Sequence, residues 1–498
     1  MKKTAILVMF LFVIITGCAT VINDDTTAVP LANNPIVQSM PDILPEMQTA
    51  GYWIGKADKP DEIIMSANEI MMFNSVTTTN HRLAKISTYK DYKPDIDIYL
   101  SIKRLYDAMS DQDLYFEDGS YADNASLSAL YDQLQLDKLD NKSSISVSFG
   151  IITQNISQRL LPTDRMFMRK GATYGYLDRL QMNSLNVGAP VAVLWSTKDE
   201  NWLFVQSALT IGWVKTEHVA LCSRNEIIVW ENPEKFVVNK KYKTSVYSDP
   251  SLHEYISWLT LGGRMPVDKT APKKNNCTAI LWPYRNNLGW LKVSTGYVEN
   301  SAISGGYLPY TSRNAINLAF EMLHAPYGWG GMNGEDDCSG FIIKVFSAMG
   351  LILPRNSAQQ GNTGDIIYSA KEIAKKNSDN SAKKTAKKVN DNSINDISNN
   401  VSEYIQKETV VSSGVPGVTV LQFPGHIMLY LGSVNNDPYV IHAIWSFEVK
   451  NNDDSVTLLL PSRVVVSHLN LSGHTKRGAF HERLTNVRVM RLSQTASK

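Results

Sequence analysis

The chain has little cysteine, and none of it is spaced as metal ligands usually are. Four cysteines occur in 498 residues, no Cys-x-x-Cys pair is present, and a structural zinc site is therefore not expected. Among the histidines near the C-terminus, His426, His442, His468, His474 and His481, no pair has the His-x-x-x-His spacing that holds zinc on a helix. Charge of one sign is also lacking. Lys and Arg number 49 against 48 Asp and Glu, a net +1, so no basic field argues for nucleic acid. The N-terminal apolar run, Ala5 to Ile15, is too short to serve comfortably as a permanent membrane helix.

What is present is ample for packed cores: 43% of the residues are hydrophobic, and the length suggests about three domains at ~150 residues each. The first segment, MKKTAILVMFLFVIITGCAT, reads as a targeting signal, with two lysines before the apolar run. Thr16, Gly17 and Cys18 at its end resemble the lipobox of bacterial lipoproteins, which implies removal of residues 1–17 and lipidation of Cys18. Ala19 follows where aspartate would mark inner-membrane retention in enteric bacteria, so a Gram-negative host would place the protein on the outer membrane, facing the periplasm. Residues 18–40 read as a tether. Once Cys18 is lipidated, Cys222, Cys277 and Cys338 remain. This odd number in an exported chain points to an intermolecular bond or a reactive thiol, and it leaves open whether Cys222 pairs with Cys277.

Residues 41–155 carry mostly helical patterning, with apolar residues at three- and four-residue spacing in Ala67–Phe73, Ile98–Met109 and Leu127–Leu139. From about residue 156 the period changes to short strands. Gly212-Trp213-Val214 and Gly289-Trp290-Leu291 echo one another and suggest two small β-barrels, 156–225 and 226–305. Helix returns at Thr311–Leu323, opening a last domain, 306–498. Within it, residues from about 370 to 410 are rich in Lys, Asn, Ser and Asp and read as an insertion that buries too little surface to order itself.

The chemistry centres on Tyr327–Arg355. Four glycines, Gly328, Gly330, Gly331 and Gly334, precede Asp336, Asp337 and Cys338, after which Phe341, Ile342, Val345, Phe346 and Met349 recur at helical spacing. Asp336 and Asp337 supply the capping chemistry for a helix with Cys338 on its first turn, where amide N–H groups and the helix dipole favour a thiolate nucleophile. Further on, His426 opens an apolar strand after Pro424-Gly425, and His442 sits within the next strand. Cys338 as nucleophile, His426 as base and His442 as the group orienting His426 form a consistent set.

Tyr327-Gly-Trp329-Gly-Gly, Asp337-Cys338-Ser339-Gly340-Phe341, Leu353-Pro354-Arg355-Asn-Ser357, Pro424-Gly425-His426-Ile-Met-Leu-Tyr-Leu-Gly432 and Ile441-His442 together resemble the NlpC/p60 family of papain-like cell-wall cysteine peptidases. Ser66–Ile70 and Leu180–Ser184 resemble, less sharply, the branch with an N-terminal clip domain and two bacterial SH3-like domains. The resemblance implies a multidomain α+β chain: a helical clip, two SH3-like barrels and a papain-like α+β peptidase. It implies hydrolysis of the γ-D-glutamyl–diamino acid bond of peptidoglycan stem peptides, without cofactor or metal. It also implies that Asp337 pairs with a free L-Ala ammonium, helped by an acid from the first barrel. Ser339 and Ser357 would bind D-Glu, Tyr327 would lie beside the reacting carbonyl, and Trp329 would wall the cleft. Two rival readings are a thiol acyltransferase of the same fold and a non-catalytic wall-binding lipoprotein. A histidine metal site is the weakest.

Overall fold

The computed structural model describes residues 40–139, 143–169, 177–272, 275–373, 408–409 and 411–492, together with the backbone of 31–36. The signal segment, Cys18 and most of the expected insertion (374–407) lie outside the described residues.

The N-terminal region is helical: α1 (Ala50–Ile54), α2 (Ala67–His81), α3 (Asp95–Ser110) and α4 (Asn124–Gln133). Ser66 starts α2 with a reciprocal cap, its hydroxyl accepting the Glu69 N–H while the Glu69 carboxylate accepts the Ser66 N–H. In α3, Ile98, Ile102, Leu105 and Met109 form the buried stripe that their spacing predicts. These helices do not form a core of their own. Trp53 of α1 and Phe73 of α2 pack into the core of the C-terminal domain, whereas α3 and Leu127 of α4 join the core of the first barrel. Midway along α2, Asn74 donates to the Gly350 carbonyl at 2.8 Å and accepts from the Ile352 N–H at 2.7 Å. The N-terminal region thus clasps both neighbours.

The first barrel contains β1 (Ser148–Ile152), β2 (Ile156–Arg159), β3 (Gln181–Leu185), β4 (Pro190–Ser196), β5 (Trp202–Gln206), β6 (Ile211–Lys215) and β7 (Val219–Cys222). They make one sheet in the order β7-β1-β4-β5-β6-β2-β3, every pairing antiparallel. The sheet therefore begins at Ser148, before the expected boundary at 156. The run Phe149-Gly-Ile-Ile pairs with β4 and β7 instead of belonging to the helices.

After α5 (Arg224–Glu231), the second β unit comprises β8 (Phe236–Asn239), β9 (Lys243–Tyr247), β10 (Tyr255–Thr260), β11 (Arg264–Pro266), β12 (Cys277–Arg285), β13 (Leu291–Glu299) and β14 (Ile303–Gly305). Its two sheets run β11-β8-β14 and β10-β9-β13-β12. The two Gly-Trp echoes are not equivalent. Trp213 is fully buried beside Phe204, whereas Trp290 is about half exposed beyond a hairpin turn and bridges by backbone to Leu221 of the first barrel. Cys222 and Cys277 remain separate thiols, each buried in its own unit.

The C-terminal domain sets α6 (Ser312–Glu321), α7 (Cys338–Ser347) and α8 (Ser357–Gln360) against six strands: β15 (Asp365–Ser369), β16 (Thr419–Phe423), β17 (His426–Val434), β18 (Asp437–Ile444), β19 (Arg463–His468) and β20 (Asn486–Val489). Their order is β15-β20-β16-β17-β18-β19. One sheet face, with Val420, Ile427, Leu429, Ile441 and Val464, shares a core with Phe341, Ile342 and Val345 of α7. The backbone of Leu31–Ile36, expected as tether, lies as a strand beside Val456–Leu460. Among the described residues no helix is long and apolar enough to cross a membrane.

Trp53 ties the N-terminal region to the C-terminal domain. It is fully buried, packs on Tyr439 at a ring-centroid separation of 5.3 Å and donates its indole N–H to the Met47 carbonyl at 2.7 Å. Trp53→Ala is expected to destabilise the protein by about 3–5 kcal/mol, read as a lower urea midpoint. An unchanged midpoint would show that this anchor carries no stability.

Candidate active site

The glycine-rich stretch does not run directly into the helix that Cys338 begins. Trp329–Gly334 forms a distorted 3-10 segment in which Gly330 and Gly331 have φ of 60° and 85°, values that glycine adopts without strain. The second constraint at these positions is contact with the first barrel. A Cβ on Gly330 would lie 2.6 Å from the Gln181 carbonyl oxygen, and one on Gly331 would lie 2.6 Å from the Ser184 hydroxyl. Gln181 also donates its side-chain amide to the Gly330 carbonyl at 3.1 Å. Strand β3 is therefore seated on the loop that leads to Cys338. On another side, Glu335 forms an ion pair with Lys243 of β9 at 2.5 Å and accepts a hydrogen bond from the Tyr242 hydroxyl.

Asp337 caps α7 as expected, its carboxylate accepting the Gly340 N–H at 2.8 Å. It also accepts from the Gly330 N–H at 3.2 Å and the Ser339 hydroxyl at 2.9 Å. The sequence reading did not assign a role to Arg355, which grips this carboxylate from both guanidinium ends: one nitrogen donates to Oδ1 at 3.1 Å, the other to Oδ2 at 2.7 Å. The first of these also donates to Ser339 Oγ at 2.8 Å. Burial pushes the Asp337 carboxyl up, but Arg355, the Gly340 amide and Ser339 outweigh it and hold the pKa below the usual carboxylate value. The neighbouring Asp336 shows the opposite balance. Burial raises its pKa even though Lys344 approaches to 2.8 Å. Arg355 belongs to the Pro354-Arg355-Asn356-Ser357 block, which was the available signal. What spacing alone did not reveal was that its partner is the residue that caps α7.

Cys338 is fully buried as the first residue of α7, and α7 packs against β17 and β18, the strands that carry the two histidines. His426 Nε2 lies 2.7 Å from His442 Nδ1, and His442 Nε2 lies 3.0 Å from Ser467 Oγ on β19. One assignment of protons satisfies both contacts and leaves His426 Nδ1 able to accept a proton: His426 carries its hydrogen on Nε2 and donates to His442, and His442 carries its own on Nε2 and donates to Ser467. Burial, then the neighbouring His442 and Arg483, lower the His426 pKa well below its ordinary value, and burial lowers that of His442 to about 3. Both rings are therefore neutral at pH 7. Ser467 was missed by the sequence reading, because a serine in an apolar strand gives no local sign that it faces a histidine one strand away.

The other expected residues occupy distinct places. Tyr327 is half-buried with its ring 5.9 Å from that of Trp445. Trp329 is buried, and its indole N–H has no hydrogen-bond partner among the described residues. Ser357 is buried at the first position of α8, which Asn356 caps through the Gln359 N–H. In the first barrel, Asp178 is paired with Arg159 at 2.8 Å. Among the described residues no group of three His, Cys, Asp or Glu is arranged to hold a metal ion.

Comparison with known proteins finds matches over two segments of this chain. Residues 324–453 match the NlpC/P60 family. This NlpC/P60 segment contains Cys338, His426 and His442, and residues 166–215 match the SH3 domain of the SH3b1 type. A curated relative, the gamma-D-glutamyl-L-lysine dipeptidyl-peptidase of Bacillus subtilis (strain 168), is 34% identical over 82 residues, which are 15% of this chain. The match spans only 28% of that relative's length. The fold is similar to that of an NlpC/P60 endopeptidase from Photobacterium damselae subsp. piscicida, with a TM-score of 0.66 at 18% identity, covering 93% of this chain and 99% of the other. An NlpC/P60 family protein from Bacillus cereus ATCC 10987 aligns over 69% of this chain and all of its own, at 15% identity and a TM-score of 0.45.

The buried histidines make stability depend on pH. His442 takes up a proton only near pH 3 when folded, but near the ordinary histidine value of 6.5 when unfolded. Between these values the unfolded chain binds more protons, so stability falls as the pH drops from about 6.5, by up to about 1.4 kcal/mol per pH unit for this residue. Urea midpoints at pH 7 and pH 5 should draw closer together in His442→Gln than in the parent, and an equal gap in both would contradict the assignment. Ser467→Ala leaves a buried imidazole N–H without its acceptor and is expected to cost about 1–3 kcal/mol in the same urea assay.

Proposed function

We propose that the protein is a cysteine endopeptidase acting on peptidoglycan, and that it hydrolyses the γ-D-glutamyl–diamino acid bond of stem peptides. The carrying observation is the buried His426–His442 contact of 2.7 Å on the strands packed against the helix that Cys338 begins. The NlpC/P60 match over this segment supports hydrolase chemistry, and the SH3 match supports a peptidoglycan-related substrate.

In the proposed reaction, His426 Nδ1 accepts the Cys338 thiol proton as the sulfur attacks the γ-carbonyl. The S–C bond forms, and negative charge develops on the carbonyl oxygen. Amide N–H groups at the start of α7, together with the Tyr327 hydroxyl, stabilise that charge. His426 then protonates the leaving amine as the C–N bond breaks, which yields a thioester. Water attacks the thioester with its proton passing to His426, the C–S bond breaks, and the thiol is restored. A neutral His442 suits this cycle, because it accepts the His426 Nε2–H whether His426 is neutral or charged.

For specificity, we propose a preference for stem peptides with a free N-terminal L-Ala. Docking of the first barrel against Gly330 and Gly331 brings a wall to this end of the site. Asp337 is the proposed contact for the L-Ala ammonium, and since Arg355 already holds both its oxygens, the ammonium must share that carboxylate with the guanidinium. Ser339 and Ser357 are proposed for the D-Glu portion and Trp329 for the cleft wall. Export, lipidation at Cys18 and an outer-membrane position facing the periplasm complete the proposal.

Mass spectrometry of purified stem peptides incubated with the protein tests this reading. Peptides beginning with free L-Ala should be cut to a free amine and a free acid, and those still carrying sugar should be cut far more slowly. Cys338→Ala should lower the rate by at least about 1,000-fold. Cleavage of both sets would remove the proposed preference. Transfer products in place of acid would favour an acyltransferase, and full activity in Cys338→Ala would defeat the mechanism.

A further inference from the structure

The carboxylate that caps the Cys338 helix is the last member of a chain of buried polar groups that begins inside the first barrel. Gln158 of β2, fully buried, donates its amide to the Val205 carbonyl at 3.1 Å. Its Oε1 accepts the Thr210 hydroxyl at 2.5 Å, and Thr210 Oγ1 accepts the Asn183 amide at 3.0 Å. With its amide nitrogen committed to Thr210, Asn183 turns Oδ1 outward from β3, where it accepts the Arg355 Nε–H at 2.8 Å. Arg355 then grips Asp337 and Ser339. Each link has one direction, because each group has only one role left open by its neighbour.

We propose that Asn183 of the first barrel is a positioning residue for the Cys338 nucleophile, acting by fixing Arg355 against the Asp337 carboxylate at the start of α7. The inference rests on Cys338 being the nucleophile. An anion beside a thiol disfavours the thiolate, and a guanidinium held on that anion cancels the effect. The helix start then offers its amides to the sulfur without a net negative charge beside it. A buried arginine with four of its donor contacts fixed, one by another domain, cannot swing away from this position without leaving polar groups unmet. The barrel is therefore part of the nucleophile's electrostatic environment as well as a wall beside it.

The test is a pH titration of thiolate absorbance in the full chain, taking the difference from Cys338→Ser. Asn183→Ala should move the Cys338 midpoint upward by about half to one pH unit, a three- to tenfold loss of thiolate at a fixed lower pH. Thr210→Val, one link further away, should move it in the same direction by less. Ser184→Ala alters the same docking surface without touching Arg355 and should leave it in place. An unmoved midpoint in both Asn183→Ala and Thr210→Val would overturn the proposal, as would an equal shift in Ser184→Ala. If Asn183→Ala does not fold, Thr210→Val against Ser184→Ala decides the matter alone. The predicted shifts in the two variants, with no stem-peptide cleavage by the parent, would support this inference while removing the peptidase reading.

Discussion

The structure turns on the buried ion pair between Arg355 and Asp337. A carboxylate that is almost wholly removed from water must be matched by positive charge and hydrogen bonds, or its burial costs several kcal/mol. Here the match is drawn from three separate places: the glycine-rich loop through the Gly330 amide, the start of α7 through Gly340 and Ser339, and the connection before α8 through Arg355. Satisfying one charge therefore fixes the relative positions of three segments around Cys338. Such a pair adds little net stability compared with an apolar replacement, and its value lies in the geometry it imposes.

The histidine side of the site follows a different rule. His426, His442 and Ser467 come from three successive strands of the sheet, β17, β18 and β19. Burial keeps the rings neutral, and the order of donors and acceptors settles where each proton sits. One half of the site is thus organised by a compensated charge and the other by neutral tautomers. The two halves meet where α7 packs on the sheet. The N-terminal helices share buried cores with the barrels on one side and with the C-terminal domain on the other.

Much of this was legible in the residues. The stripe of α3, the cap at Asp337, the helix beginning at Cys338 and the strands beginning at His426 and spanning His442 all depend on interactions within a few positions along the chain, where spacing and residue type are informative. The match of 324–453 to the NlpC/P60 family agrees with the ordered blocks around those residues. Less legible were the start of the first barrel at Ser148, the strand at 31–36 and the exposure of Trp290. In each case the outcome was decided by a pairing partner far away in sequence. Arg355 and Ser467 went unassigned for the same reason.

By itself, then, the sequence determined the local elements and singled out Cys338, His426 and His442 as the candidate site, since helix caps, periodicity and side-chain chemistry are properties of short segments. Only the tertiary structure decided that Asp337 is held by Arg355, that Arg355 is held in turn by Asn183 of another domain, and that His442 rests on Ser467. These are contacts between groups separated by 18, 172 and 25 positions. Whether such groups meet depends on which surfaces the chain buries against each other, and burial is a property of the whole fold.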